Sequence, residues 1–158
     1  MKIQLLSATL LAVTLVFSCQ NQPKDNAQDE PYSKEELAIQ DALWDQVMAL
    51  HDEVMPEMST INQLTQDLTP FLESETMEKP LLEKVNNTLK ALEAGEESMF
   101  TWMNELQQLG ALRNGKSHED IVNYLNGELN KMTTVKEKMT SSISTAQALL
   151  SELLGNEQ

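Results

Sequence analysis

Trp44–Met58, WDQVMALHDEVMPEM, is the stretch whose reading decides the fold. Trp44, Met48, His51, Met55 and Met58 recur at spacings of 4, 3, 4 and 3, so a helix sets them on one stripe. Leu43, Val47, Leu50 and Val54 form a second stripe beside it. Together they make a wide apolar face, with Met and His along one margin and aliphatics along the other. Pro56 is the obstacle: inside a helix it leaves the Asp52 carbonyl without a donor and costs about 3 kcal/mol. A break would reset the phase of the pattern, yet both stripes keep register across Pro56. The spacing therefore predicts one long helix, from about 33 to 72, bent at Pro56 and not cut there.

Working outward, Ser33-Lys34-Glu35-Glu36 has the form of a capping box, which starts that helix. Its seam continues through Ile61, Leu64, Leu68 and Phe71, with Glu57 in one seam position. Pro70, Ser74, Thr76 and Pro80 mark a connection. A second helix to about Leu109 is predicted from Leu82, Val85, Leu89, Leu92, Met99, Met103 and Leu106, with Glu96 in the gap and Leu81, Trp102 and Leu109 alongside. Gly110 and Gly115 suit a C-cap and turn. Ser117 and Asp120 open a third helix, which carries Ile121, Leu125, Leu129, Met132, Val135, Met139, Ile143, Ala146, Leu149 and Leu153 and stops before Gly155. No segment alternates as a strand does. The expected fold is all-α: an elongated, coiled-coil-like up-down-up three-helix bundle over 33–155.

The chain begins MKIQLLSATLLAVTLVFSCQ. Lys2 precedes an apolar run of about fifteen residues, too short for a permanent membrane span. The run ends Val16-Phe17-Ser18-Cys19, which resembles the lipobox of bacterial lipoproteins. That resemblance implies a signal peptide over 1–18, cleavage before Cys19, and acylation of the Cys19 thiol and new amino terminus, palmitate among the acyl chains. Cys19 is the single cysteine of the chain, so an internal disulfide is excluded. Each buried CH₂ of an acyl chain contributes about 0.8 kcal/mol, so several chains anchor stably. Residues 19–32, polar and with two prolines, read as the lipidated end and a flexible tether. The expected address is the cell envelope, with the membrane as a partner through the N-terminal lipid.

The formal charge of −14 argues against binding to nucleic acid phosphates and against lying flat on anionic lipid. If the helices fold back near residues 75 and 113, Met48, His51, Met55, Met99, Trp102, Met103, Tyr124 and Glu128 fall in one slab. Three meanings of that slab stay open. Methionines fill irregular gaps in cores. A half-exposed Met-rich face, comprising Trp44, Met48, His51, Met55, Met58, Met99, Trp102 and Met103, suits a protein partner. Met48, His51, Met55, Met99 and Met103 also form a soft donor set for Cu(I), the one cofactor the sequence suggests. Glu57 and Glu96 fall at neighbouring levels, where two carboxylates reach water at a bundle edge or, if buried together, repel and form a general-acid pair. No nucleophile, base and oxyanion-donor set is recognisable, so catalysis is not expected. The expected function is a non-enzymatic helical binding or structural module, with soft-metal binding as the alternative.

The block Met48–Met58, with Trp102-Met103 downstream in an acidic helix, resembles small Bacteroidota lipoproteins often labelled "viral A-type inclusion protein". The resemblance spans the signal, the first helix and the second helix and is weaker in the third. It implies the lipoprotein address and a helical fold, and it carries no mechanism.

Overall fold

A computed structural model describes residues 31–75 and 77–155. The expected signal peptide, Cys19 and the expected tether up to residue 30 lie outside the described residues. Five α-helices follow in order: α1 Lys34–Val54, α2 Glu57–Leu68, α3 Lys79–Glu105, α4 Leu109–Arg113 and α5 His118–Gly155, with a 3₁₀ turn at Thr69–Glu73 after α2. No strand occurs among the described residues. The fold is all-α, and its three long arms, α1 with α2, α3 and α5, pack against one another.

The bend at Pro56 has a clear backbone signature. Met55 (φ −54°, ψ −37°) and Pro56 (φ −60°, ψ −25°) both stay in the right-handed helical region. The Met55 amide still donates to His51 O at 2.8 Å. Beyond the proline, Met58 and Ser59 donate to Met55 O and Pro56 O, one residue nearer than in an α-helix. The single helix expected over 33–72 is therefore divided: α1 ends at Val54, α2 begins at Glu57, and the last residues form the 3₁₀ turn, although the arm goes on through helical dihedral angles. Val47, Val54, Ile61 and Leu68, each seven residues from the last, are all buried in one core cluster. The heptad therefore crosses the proline intact.

The main core joins those residues to Val85, Leu92, Met99 and Trp102 of α3 and to Met132, Val135, Met139, Ile143, Ala146, Leu149 and Leu153 of α5. Buried α3 positions run 85, 88, 92, 95, 99 and 102, an unbroken 3–4 repeat that includes Thr88 and Gly95. The gap predicted at Glu96 is filled by Gly95 instead, and Glu57 and Glu96 are only half-buried. Gly95 has a steric reason: a Cβ there would lie 3.1 Å from Ser142 Oγ and 3.4 Å from the Met139 Cα. Its absence lets α3 and α5 approach closely.

Three local expectations are corrected. The second long helix ends at Glu105, because Leu106 turns extended (ψ 119°), and Leu109 starts the separate α4. Gly110 sits inside α4, and no glycine among the described residues has positive φ, so neither Gly110 nor Gly115 acts as a left-handed cap. Tyr32, assigned to the tether by sequence, belongs to the folded body. It is 8% exposed and packs in a second cluster with Leu109, Leu112, Ile121 and Leu125.

Both predicted helix starts form. Ser33 Oγ accepts from the Glu36 amide at 3.2 Å, and Glu36 Oε2 accepts from the Ser33 amide at 2.7 Å. Ser117 Oγ accepts from the Asp120 amide at 3.1 Å and donates to Asp120 Oδ2 at 2.7 Å. These bonds stabilise the ionised acids and hold Glu36 and Asp120 below the usual carboxylate range, through the Ser33 backbone amide first and the Ser117 hydroxyl first, respectively.

Candidate functional site: the Met/His/Trp face

His51 lies on α1 just before the bend, with its side chain 15% exposed. Its ring stacks on Trp102 of α3, centroids 5.6 Å apart and planes 28° apart. Its Nδ1 lies 2.9 Å from Asp52 Oδ1. A carboxylate acceptor there favours the tautomer with the proton on Nδ1, which leaves a lone pair on Nε2. Trp102 is 3% exposed, and its indole N–H has no hydrogen-bond partner.

The methionines divide by depth. Met99 is fully buried in the main core. Met55, Met58 and Met103 are partly buried and pack against that core, and Met48 on α1 is half-buried. Trp44 falls elsewhere. It packs with Leu37, Leu43 and Tyr124 against the cluster of Tyr32 and Leu112. The stripe is thus divided: Trp44 packs against the smaller cluster, and Met55 and Met58 pack against the main core. Among the described residues no group of three or more His, Cys, Asp and Glu is disposed to hold a metal ion.

Glu128 and Tyr124 both lie on α5, but Tyr124, expected in the slab, packs with Trp44 against the smaller cluster instead. The Glu128 carboxylate is almost wholly buried; Oε1 accepts from Lys131 Nζ at 2.9 Å, and Oε2 has no partner. The bond to Glu128 raises the Lys131 pKa. Burial, above all, raises the pKa of the Tyr124 hydroxyl, which accepts from the Gln107 amide at 2.8 Å.

Sequence reading missed a polar centre at the other end of α1. Gln40 is fully buried, and its Oε1 accepts from Arg113 Nε at 2.7 Å. A guanidinium only donates, so the Gln40 amide has one possible orientation. Its Nε2 then donates to His118 Nδ1 at 3.1 Å. Arg113 also donates to Leu37 O at 3.2 Å and to Asp41 at 2.8 Å. The Tyr32 hydroxyl is placed to donate to Arg113 O (3.1 Å) and Lys116 O (2.5 Å). His118, which has no evident role in the sequence, is half-buried and holds this centre to the start of α5. One signal was available: Gln40 lies seven residues before Val47, so the heptad carried backward puts it on the seam.

No protein-family model, curated protein or solved structure matches this chain.

Proposed function

We propose that this protein is a lipid-anchored cell-envelope module that binds a partner through the Met/His/Trp face and performs no catalysis. One observation carries the reading. Met48, Met55, Met58 and Met103 are only partly buried, on the same arms that carry the stacked His51–Trp102 pair, so adaptable, polarizable side chains reach solvent there. The lipobox-like Val16-Phe17-Ser18-Cys19 supports the anchor. The folded body starting at Tyr32, directly after the polar stretch, supports a tethered domain. The first test is metabolic labelling with an alkyne-palmitate: label on the wild-type chain and none on Cys19→Ala supports the anchor, and equal labelling removes it. The second places a photo-crosslinking residue at Met48 or, as a control, at exposed Asn62. A discrete adduct from position 48 alone is expected; no adduct, or the same adducts from both, overturns the partner face.

The His51–Asp52 contact favours a second reading, Cu(I) capture, because it leaves a lone pair on Nε2 of an imidazole stacked on an indole face. Anaerobic titration with Cu(I) against a competing chelator tests it. Affinity at least about tenfold above that of a His51→Ala, Met55→Ala variant is expected, since a lost ligand typically costs that much or more. Equal affinities remove the reading.

A further inference from the structure

An open groove runs along the seam between α3 and α5. Its upper part, about 460 Å³, lies between Ala94–Glu105 and Lys131–Lys138. The depression below it shares Ala94 and Lys138, and a third shares Ala91 and Thr145 and reaches Pro80. The three form one trough nearly the length of α3, which is about 40 Å at 1.5 Å per residue. Trp102 lines it, and its buried indole N–H lacks a partner. Charge separates across the upper trough: Glu97 and Glu105 stand on the α3 lip, Lys131 and Lys138 on the α5 lip.

We propose that this trough is the interface of a two-fold dimer of the chain. Two symmetries could close it. An axis across the helices sets α3 against α3 of the second copy, acid against acid and lysine against lysine. An axis parallel to the helices sets α3 against α5 of the second copy. Glu97 and Glu105 then meet Lys138 and Lys131 at the same levels, since all four border one section of trough. Charge complementarity selects the parallel axis. The same axis brings both Tyr32 residues to one end. Two chains anchored in one membrane need that arrangement, a point that rests on the proposed lipidation of Cys19. Confinement to a membrane raises the effective concentration and favours a contact that is weak in solution.

Disulfide trapping in the full-length chain, in native membranes, tests the inference. Chains carrying Glu97→Cys are co-expressed with chains carrying Lys138→Cys, and the unmodified chain, with Cys19 alone, is the control. Mixed 97–138 dimers are expected, in excess over 97–97 dimers by about tenfold or more, given the cost of like-charge contacts. Absence of cross-linked dimer, or 97–97 dimers in equal or greater yield, overturns the proposal. Added reversals give a second measurement. Lys131→Glu in the Lys138→Cys chain should suppress trapping, and Glu105→Lys in its Glu97→Cys partner should restore it. Unchanged yields overturn the charge-matched interface. Failure of the anchor is read separately: dimers of the control chain through a free Cys19 thiol reveal an unacylated protein, whatever happens at 97 and 138.

Discussion

At the scale of single residues, the seams of this protein carry polar side chains that are fully built in. Gln40 is the sharpest case, since its amide accepts from Arg113 and donates to His118 with no freedom to flip. Gln40→Met leaves the Arg113 Nε–H without its acceptor, and urea denaturation should show a loss of about 2–3 kcal/mol. Glu128 is the opposite case, because one carboxylate oxygen has no partner. Glu128→Gln removes a buried charge and should change stability by less than about 1 kcal/mol at neutral pH, in either direction. Its effect appears at high pH. The folded-state pKa of Lys131 is raised, so its contribution is fully present below the ordinary lysine value and is lost as pH rises through the folded value. In Glu128→Gln that alkaline decline should be shallower. For Glu36 and Asp120 the sign is reversed. Their depressed pKa values give stability that is present above the ordinary carboxylate values and lost as pH falls through the folded ones. Ser33→Ala with Ser117→Ala should therefore lower the melting temperature at pH 7 more than at pH 2.

At the scale of elements, two features decide how the arms fit. One is the bend at Pro56, where α1 gives way to α2 through helical dihedral angles and the heptad survives. The other is the close approach of α3 and α5 at Gly95. Gly95→Ala gains about 1 kcal/mol of helix propensity but crowds Ser142, and overpacking of this kind costs about 1–3 kcal/mol. The single substitution should lower the melting temperature. Gly95→Ala combined with Ser142→Ala removes the crowded hydroxyl and should melt above Ser142→Ala alone. If Gly95→Ala is stabilising by itself, the contact with Ser142 is not what requires glycine.

At the scale of the molecule, two apolar clusters share the same long helices. The main core runs along the later turns of α1 and along α2, α3 and α5, and the smaller one joins the start of α1 to α4 and the first turns of α5. Tyr32 closes the smaller cluster and bonds the backbone of the α4–α5 turn. Tyr32→Phe keeps the ring and removes the hydroxyl, which should cost about 1 kcal/mol. Hydrogen exchange should quicken over residues 109–118 while the amides around Met139 stay protected. Faster exchange throughout would mean that the two clusters open as one.

By itself the sequence determined the helical class, both capped helix starts and the seven-residue register across Pro56, though not the division of that arm into α1 and α2. Each of these depends on residues close together in the chain: a serine three positions from its acid, or apolar side chains repeating every seven. It also placed His51 level with Trp102, because loop position sets level in a hairpin. Only the tertiary structure decided that Thr88, Gly95, Glu128 and Ser142 complete the seams and that Gln40, Arg113, His118 and Tyr32 form one polar centre. A hydrophobic pattern passes over such residues, since a polar or small side chain shows where it belongs only when its partner, some 70 to 85 residues away here, is seen beside it. The division of the opening stripe between two clusters has the same origin: a helix specifies which side chains share a face, and the neighbours packed on that face decide what each one meets.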